Sequence, residues 1–347
     1  MSDKTITLLA IESSCDDTGV AVVRKNGDKV DVLADFVNSQ SIHRTTGGVI
    51  PEQAAREHTR VIGPIITDVM KRSGLTSQDI DAITITTCPG LMPSLAVGVQ
   101  AAKALAYAWN KNIVPVHHIE GHIYSALLEI KNTELFPSLA VIISGGHTML
   151  IRMKNHLSYE VLGETRDDAI GEVFDKVARM LGLGYPGGPI ISKLADTGNS
   201  KAYTFPRPMM HSHDLDFSYS GLKTAVLYQV QAIGEAITEQ DKANIAASFQ
   251  QAIIDSVIGK LVLALDQDDY KTILFAGGVA ANTALRNAMQ QEADARNIVL
   301  SIAPKELCGD NAVMIGQVGT FACEAGRIEA WKDIDASARK SIEEFSN

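Results

Sequence analysis

Ser138–Glu164 reads SLAVIISGGHTMLIRMKNHLSYEVLGE. Three apolar runs, SLAVIIS, HTMLIRM and SYEVLGE, are parted by a glycine pair and a short polar turn, which predicts three strands in series. The pattern has occurred once before, at 5–11, 18–24 and 31–37. Behind the first triplet the sequence predicts a helix over 52–73, a strand at 81–87 and a helix near 93–109. The strand NIVPV (Asn112–Val116) and a helix beginning near His118 follow. Behind the second triplet it predicts helices near 170–182, 188–197, 219–235 and 239–265. A strand at 271–275, a helix near 281–295, a strand at 297–302 and a helix near 310–323 complete the set. Two β-β-β-α-β-α units in series predict a duplicated α/β fold, two lobes with a central cleft. A repeat of this length is a pair of lobes and not a solenoid. The expected lobes are 5–137 and 138–325, the second with a helical insertion at about 185–265. Residues 326–347 form a tail, and a terminal helix is allowed to cross between lobes. The Ser-, Pro-, His- and Asp-rich stretch 199–218 reads as a surface loop.

The 347 residues are 46% hydrophobic and 21% charged, enough apolar material for two cores. Cys15, Cys88, Cys308 and Cys323 show no CxxC pairing and read as reduced thiols of a cytoplasmic protein. No run approaches the roughly 18 apolar residues of a membrane span. The opening MSDKTITLLAI enters a strand at once, so no leader is expected. A formal net charge of −10 argues against broad nonspecific nucleic-acid binding and leaves room for a local basic patch or a partner's help.

His118 and His122 stand four apart in HHIEGH, so both imidazoles project from one helical face and can grip one metal ion. The alternatives are polar surface or a pair of satisfied histidines. Glu120 lies two after the first histidine, which departs from the HExxH order of zinc proteases. Asp310 in CGDNA is either the N-cap of the last long helix or a third ligand. Two neutral imidazoles and a carboxylate suit Fe(II) or Zn(II) with open positions. Cys308 beside it reads as a small residue filling a turn.

Strand ends with small or acidic residues occur at Ile11–Gly19 (IESSCDDTG), Ser144–Thr148 (SGGHT) and Ala276–Asn282 (AGGVAAN). Paired glycines let a backbone approach a ligand and aim N–H groups at an anion; their ordinary role is a tight turn. Glu12, Asp16 and Asp17 read as solvated turn carboxylates, with a place facing the cleft as the alternative. In Gly171–Pro189 (GEVFDKVARMLGLGYPGGP), Asp175 and Lys176 are either a solvated pair or functional, and Gly187–Gly188 either reverses the chain or meets a ligand.

Taken together, IESSCDDTGVAV, GGVIPEQAAREH, HHIEGH, SGGHT, GEVFDK, YPGGP, FSYSGLKTA, AGGVAAN and CGDNA resemble, in this order and from about residue 7 to 323, the bacterial tRNA threonylcarbamoyltransferase family. The resemblance implies the duplicated actin/Hsp70/sugar-kinase fold. It implies transfer of threonylcarbamoyl from threonylcarbamoyl-AMP to adenosine 37 of tRNAs reading ANN codons. His118, His122 and Asp310 would hold one Fe(2+) per subunit, or Zn(2+). Ile142, Ile143, Ser144, Gly145, Gly146, Asp175, Gly188 and Asn282 would hold the adenylate, with phosphate at the backbone near Gly145–Gly146. The partners implied are tRNA, a metal-free paralogue (TsaB) and a P-loop ATPase (TsaE), with no membrane. Arg207 and Lys223 are candidate tRNA contacts that also read as ordinary surface charges. Two departures from the family pattern are the loop CPGLMPS and Ser192, where some relatives carry Asp.

Overall fold

A computed structural model describes residues 5–43, 48–128 and 135–346; Gly47, which opens GGVIPEQAAREH, lies outside them. The fold divides into two compact units. One is drawn from Met1–Thr133, Asn155–Tyr159 and Gly309–Asn347, the other from Glu134–Lys154 and Glu160–Cys308.

The first unit holds β1 (Ile6–Glu12), β2 (Asp17–Asn26), β3 (Lys29–Ser39), β4 (Ala82–Cys88) and β5 (Asn112–His117). They lie in the order β3-β2-β1-β4-β5, antiparallel between β1, β2 and β3 and parallel from β1 to β4 and β5. β1 and β4 are buried on both faces: ITLLAIE is a largely apolar run, and in AITITTC the threonines that alternate with isoleucine are buried as well. Helices α1 (Pro51–Ser73) and α2 (Met92–Trp109) cover the sheet. Pro51 fixes the first turn of α1, and Gly74 ends it with φ +69°. Along α1, Ala54, His58, Val61, Ile62, Ile65, Ile66 and Val69 form the buried stripe that helical periodicity demands. A short α3 (His118–Ser125) follows β5 directly.

The second unit repeats the plan. β6 (Ser138–Ile143), β7 (Thr148–Asn155), β8 (Ser158–Glu164), β9 (Thr272–Ala276) and β10 (Val299–Ile302) lie in the order β10-β9-β6-β7-β8. β6 runs antiparallel to β7 and parallel to β9, as β1 does to β2 and β4. Replacing β1–β5 by β6–β10 turns one order into the other read backwards, so the duplication predicted from the triplets is present. The helices are α4 (Ile170–Met180), α5 (Gly187–Ala195), α6 (Ser220–Ile233), α7 (Glu239–Leu265) and α8 (Thr283–Arg296).

The last long helix, α9 (Ala312–Glu324), returns to the first unit and packs on β1, β2, β4, β5 and α3. The linear boundary at 325 therefore falls at 308 in space. The cause is the apolarity of α9, whose residues Ala312 to Thr320 are all buried, against a sheet face that α1 and α2 do not cover. The tail follows α9 into the same unit: Glu329 bridges to Ile113 at the open edge of β5, and Ser337 N–H donates to Thr87 O.

α7 is the one helix among the described residues long and apolar enough to cross a membrane. Of its most apolar window 67% is buried within the protein, so it acts here as a core helix. Its Lys260, 1% exposed, donates to Ser212 Oγ at 2.8 Å and Asp214 O at 2.6 Å. This buried cation pins the 199–218 loop. Arg207 is paired with Asp255 in the same region, and Lys223 with Asp168.

Candidate functional site

At the β5–α3 junction three consecutive polar roles are assigned by hydrogen bonding. His117 is the N-cap: its Nδ1 accepts from Ile119 N–H at 3.2 Å, and its Nε2 donates to Lys340 O at 2.9 Å. Burial pushes this ring down to about 4, so it is neutral. Glu120 completes the capping box by accepting from His117 N–H at 3.0 Å. Its buried carboxylate is otherwise taken by Arg327 Nη1 at 2.8 and 3.0 Å. His118 and His122 then follow one turn apart, their ring centroids 4.6 Å from each other. At Gly121, between them, a Cβ would lie 2.7 Å from Ile315 Cδ1 and 3.0 Å from Met314 Cγ, so glycine lets α3 lie close to α9 without moving those side chains.

Asp310 does not cap α9. That role belongs to Asn311, whose side chain accepts from Met314 N–H at 2.9 Å. Asp310 is left to turn its Oδ1 toward His118 Nε2 at 3.4 Å and His122 Nε2 at 3.3 Å. One donor atom from each residue lies within 4.8 Å of the others. Both ring nitrogens of His122 are buried without hydrogen-bond geometry to a described atom. Close approach without that geometry is what donors aimed at a common point produce. Two imidazoles and a carboxylate within this span fit a divalent transition metal.

Glu12, expected as a solvated turn carboxylate, is instead an interior residue. It is fully buried at the end of β1, because the parallel pairing of β1 with β4 sets it beside Thr86. Its carboxylate accepts from Ser14 N–H at 2.6 Å and Thr86 Oγ1 at 2.5 Å, and lies 3.3 Å from His118 Nδ1. Burial pushes its pKa up, but the charge and hydrogen bond of His118, with Thr86, hold it below the ordinary value. For His118, burial works downward while Asp310 and Glu12 outweigh it and raise the ring to about 9. His122, equally buried, is pushed down. With His118 raised and His122 lowered, the positive charge near neutral pH sits on the His118 ring, while His122 is neutral. Asp17 is also no solvated carboxylate: burial first, then Asp310, raise it to about 7. Cys308 is buried with its thiol donating to Ala303 O and Pro304 O, the turn-filling role expected of it.

In the second unit the glycine-rich ends converge on the end of β6. Ile142 and Ile143 are buried in the strand. Ser144 closes the turn, its N–H donating to His147 O at 2.8 Å, and its carbonyl accepts from Gly171 N–H at 3.2 Å. Gly277, at φ +94°, passes so close that a Cβ would lie 2.4 Å from Ile143 O. Gly145 and Gly146 differ: neither has a positive φ, and a Cβ on either meets nothing within 4 Å. The fold does not need glycine there, and the space above that backbone is open.

Asp175 is not paired with Lys176, which turns to Asp168 and Glu172. Its Oδ1 accepts from Gly187 N–H at 2.6 Å, and the carboxylate also takes the Gly188 N–H, which anchors the start of α5. Burial outweighs these bonds and raises its pKa. Asn282 caps α8, accepting from Leu285 N–H at 2.9 Å. Its Nδ2 lies 2.7 Å from Gln250 Oε1 and 3.4 Å from Ser192 Oγ.

Residues 31–317 match the family model described as TsaD, tRNA N6-adenosine threonylcarbamoyltransferase. The protein of that name from Staphylococcus saprophyticus is 46% identical over 330 residues, 94% of either chain. The one from Staphylococcus aureus strain JH9 is 44% identical over 344 residues, 99% of either chain. The chain belongs to the tRNA N6-adenosine threonylcarbamoyltransferase family. Among solved structures, HypF from T. kodakarensis matches with a TM-score of 0.62 at 15% identity, over 94% of this chain and 50% of that one. Full-length HypF in a phosphate- and nucleotide-bound form matches at 0.59 and 13%, over 96% and 47%. At these identities the likeness concerns the fold, and it agrees with the duplicated actin/Hsp70/sugar-kinase architecture.

For a threonylcarbamoyltransferase-family chain, the expected residues fall into two groups. His118, His122 and Asp310 share one cluster in the first unit. Ile142–Gly146, Asp175, Gly188 and Asn282 all lie in the second. Glu12 was expected as a solvated turn carboxylate, with a place facing the cleft as the alternative, and the helix cap at His117 was not anticipated. The signal for Glu12 was its position at the end of the largely apolar central strand ITLLAIE, where a carboxylate is buried by register.

Proposed function

We propose that this chain transfers a threonylcarbamoyl group from threonylcarbamoyl-AMP to N6 of adenosine 37 in tRNAs reading ANN codons. His118, His122 and Asp310 hold one Fe(2+), with Zn(2+) as the alternative, and Ile142–Gly146, Asp175, Gly188 and Asn282 hold the adenylate. The observation that carries this reading is the convergence of two imidazoles and a carboxylate, freed from capping by Asn311, in a member of this family.

The adenosine amine attacks the carbamoyl carbon of the mixed anhydride, a C–N bond forms, the C–O bond to phosphate breaks, and the amine loses a proton as AMP leaves. The carbonyl arrives activated, so no protein nucleophile is needed and placement supplies most of the acceleration. A metal held by His118, His122 and Asp310 would supply Lewis-acid polarisation or orient the threonyl group. The open backbone at Gly145–Gly146 receives phosphate, Asp175 fixes Gly187–Gly188, and Asn282 presents its amide beside Ser192. A metalloprotease reading loses its general base, because Glu120 is consumed by Arg327 and the cap of α3. The chain works in the cytoplasm with a metal-free paralogue (TsaB) and a P-loop ATPase (TsaE).

Incubation with labelled threonine, bicarbonate, ATP, a threonylcarbamoyl-adenylate synthase, the two partners and tRNA tests this. Label is expected in tRNA; cleavage of a peptide or phosphorylation of a sugar, with unlabelled tRNA, would overturn it.

A further inference from the structure

We infer that Glu12 is a positioning residue for the metal centre, fixing His118 with its hydrogen on Nδ1 so that Nε2 offers a lone pair beside Asp310 and His122. The inference rests on the reading of His118, His122 and Asp310 as a metal site. An ionised carboxylate only accepts hydrogen bonds, and a fully buried one demands several. Glu12 has the Ser14 N–H, the Thr86 hydroxyl and His118 Nδ1 as its neighbours. The first two are donors on β4 and on the turn after β1, so the carboxylate stands on the rigid centre of a sheet. The third neighbour must also donate, which assigns the hydrogen to Nδ1 and leaves Nε2 to the metal. Ser14 Oγ, 3.1 Å from the same Nδ1, can accept a share of that hydrogen.

The two histidines are therefore held differently. His118 is tied to the sheet through Glu12, whereas His122 Nδ1 is buried without a hydrogen-bond partner among the described residues. His117, one residue earlier, has the opposite tautomer, with Nδ1 accepting and Nε2 donating. Adjacent histidines at one strand end are thus divided by their partners into a helix cap and a ligand. Carboxylates that orient a metal-bound imidazole typically change affinity by roughly 10- to 100-fold when removed.

The test uses full-length protein stripped of metal and titrated with Zn(II) against a chromophoric chelator, with Co(II) absorption as a second readout of geometry. Glu12→Gln is expected to weaken Zn(II) roughly 10- to 100-fold and to alter the Co(II) spectrum. Glu120→Gln removes an equally buried carboxylate whose oxygens serve Arg327 and the cap of α3, and is expected to keep parental affinity whatever its stability. Parental affinity in Glu12→Gln, or an equal loss in Glu120→Gln, would overturn the inference. Should Glu12→Gln fail to fold, Glu12→Asp, an anion withdrawn by one methylene, is expected to weaken Zn(II) and would overturn the inference by binding as the parent does. His122→Ala separates the two readings: unchanged affinity there means that the metal site itself is wrong, independently of Glu12.

Discussion

Replacing Asp175 by Ala separates two ways in which a carboxylate can serve a ligand loop. In the structure Asp175 takes the N–H groups of Gly187 and Gly188 and so holds the first turn of α5. Hydrogen bonds to a charged group contribute roughly 1.5–3 kcal/mol each, and this carboxylate is only half-buried, so a combined loss near the low end, about 2 kcal/mol, is expected. Asp175→Asn keeps one acceptor and should lose about half as much. Both changes also release Gly188, so adenylate affinity should fall at least about tenfold for Ala, in step with the stability loss. Urea unfolding of the two variants, alongside calorimetric titration with a non-hydrolysable adenylate, reads both quantities. An Asp175→Ala protein as stable as the parent would refute the anchoring role even if affinity fell, since the carboxylate would then be touching ligand directly. Unchanged stability together with unchanged affinity would return Asp175 to the surface.

Elemental analysis should find one Fe or Zn per chain in the parent and none in the His118→Ala/His122→Ala double variant, with the fold retained; equal metal in both would refute the cluster as the site. Gly146→Val should fold normally, because a Cβ there meets nothing, yet lose adenylate binding while keeping its metal; normal adenylate affinity by calorimetry would contradict the placement of phosphate. The pH dependence follows from His117, whose pKa falls from 6.5 to about 4 on folding. A depressed histidine pKa contributes stability that is complete above 6.5 and is lost as pH falls from there through about 4, about 3 kcal/mol in all. His117→Asn, which can still cap α3, should lack that part of the loss; parallel stability curves for variant and parent between pH 7 and 4 would refute it.

The triplet of strands at Ser138–Glu164 and its earlier counterpart were legible because buried sheet strands are short apolar runs between turn residues. The helices matched to within a few residues for the same reason, as with α1, read at 52–73 and found at Pro51–Ser73. What sequence could not reveal was which sheet an apolar helix would cover. α9 follows the second triplet in the chain but packs on the first sheet, and its burial pattern alone fits either. The histidine pair was legible from its spacing. Asp310 was ambiguous because Asp and Asn both cap helices and stand side by side; only the hydrogen bond of Asn311 to Met314 N–H separates them. Glu12 was misjudged because SSCDD beside it looks solvated, whereas the register of β1 against β4 takes it into the interior. Asp175 showed no capping signature, since the turn it anchors lies twelve residues downstream.

Supplying the donor itself tests the transferase activity without the synthase step. Purified chain reconstituted with Fe(II) and its two partners is mixed with synthetic threonylcarbamoyl-AMP and a tRNA transcript bearing adenosine 37, and the digested nucleosides are weighed by mass spectrometry. The expected product is N6-threonylcarbamoyladenosine at position 37 with one AMP released per modification, and none from the His118→Ala/His122→Ala variant. Unmodified tRNA with the parent chain, or equal modification by the variant, would contradict it.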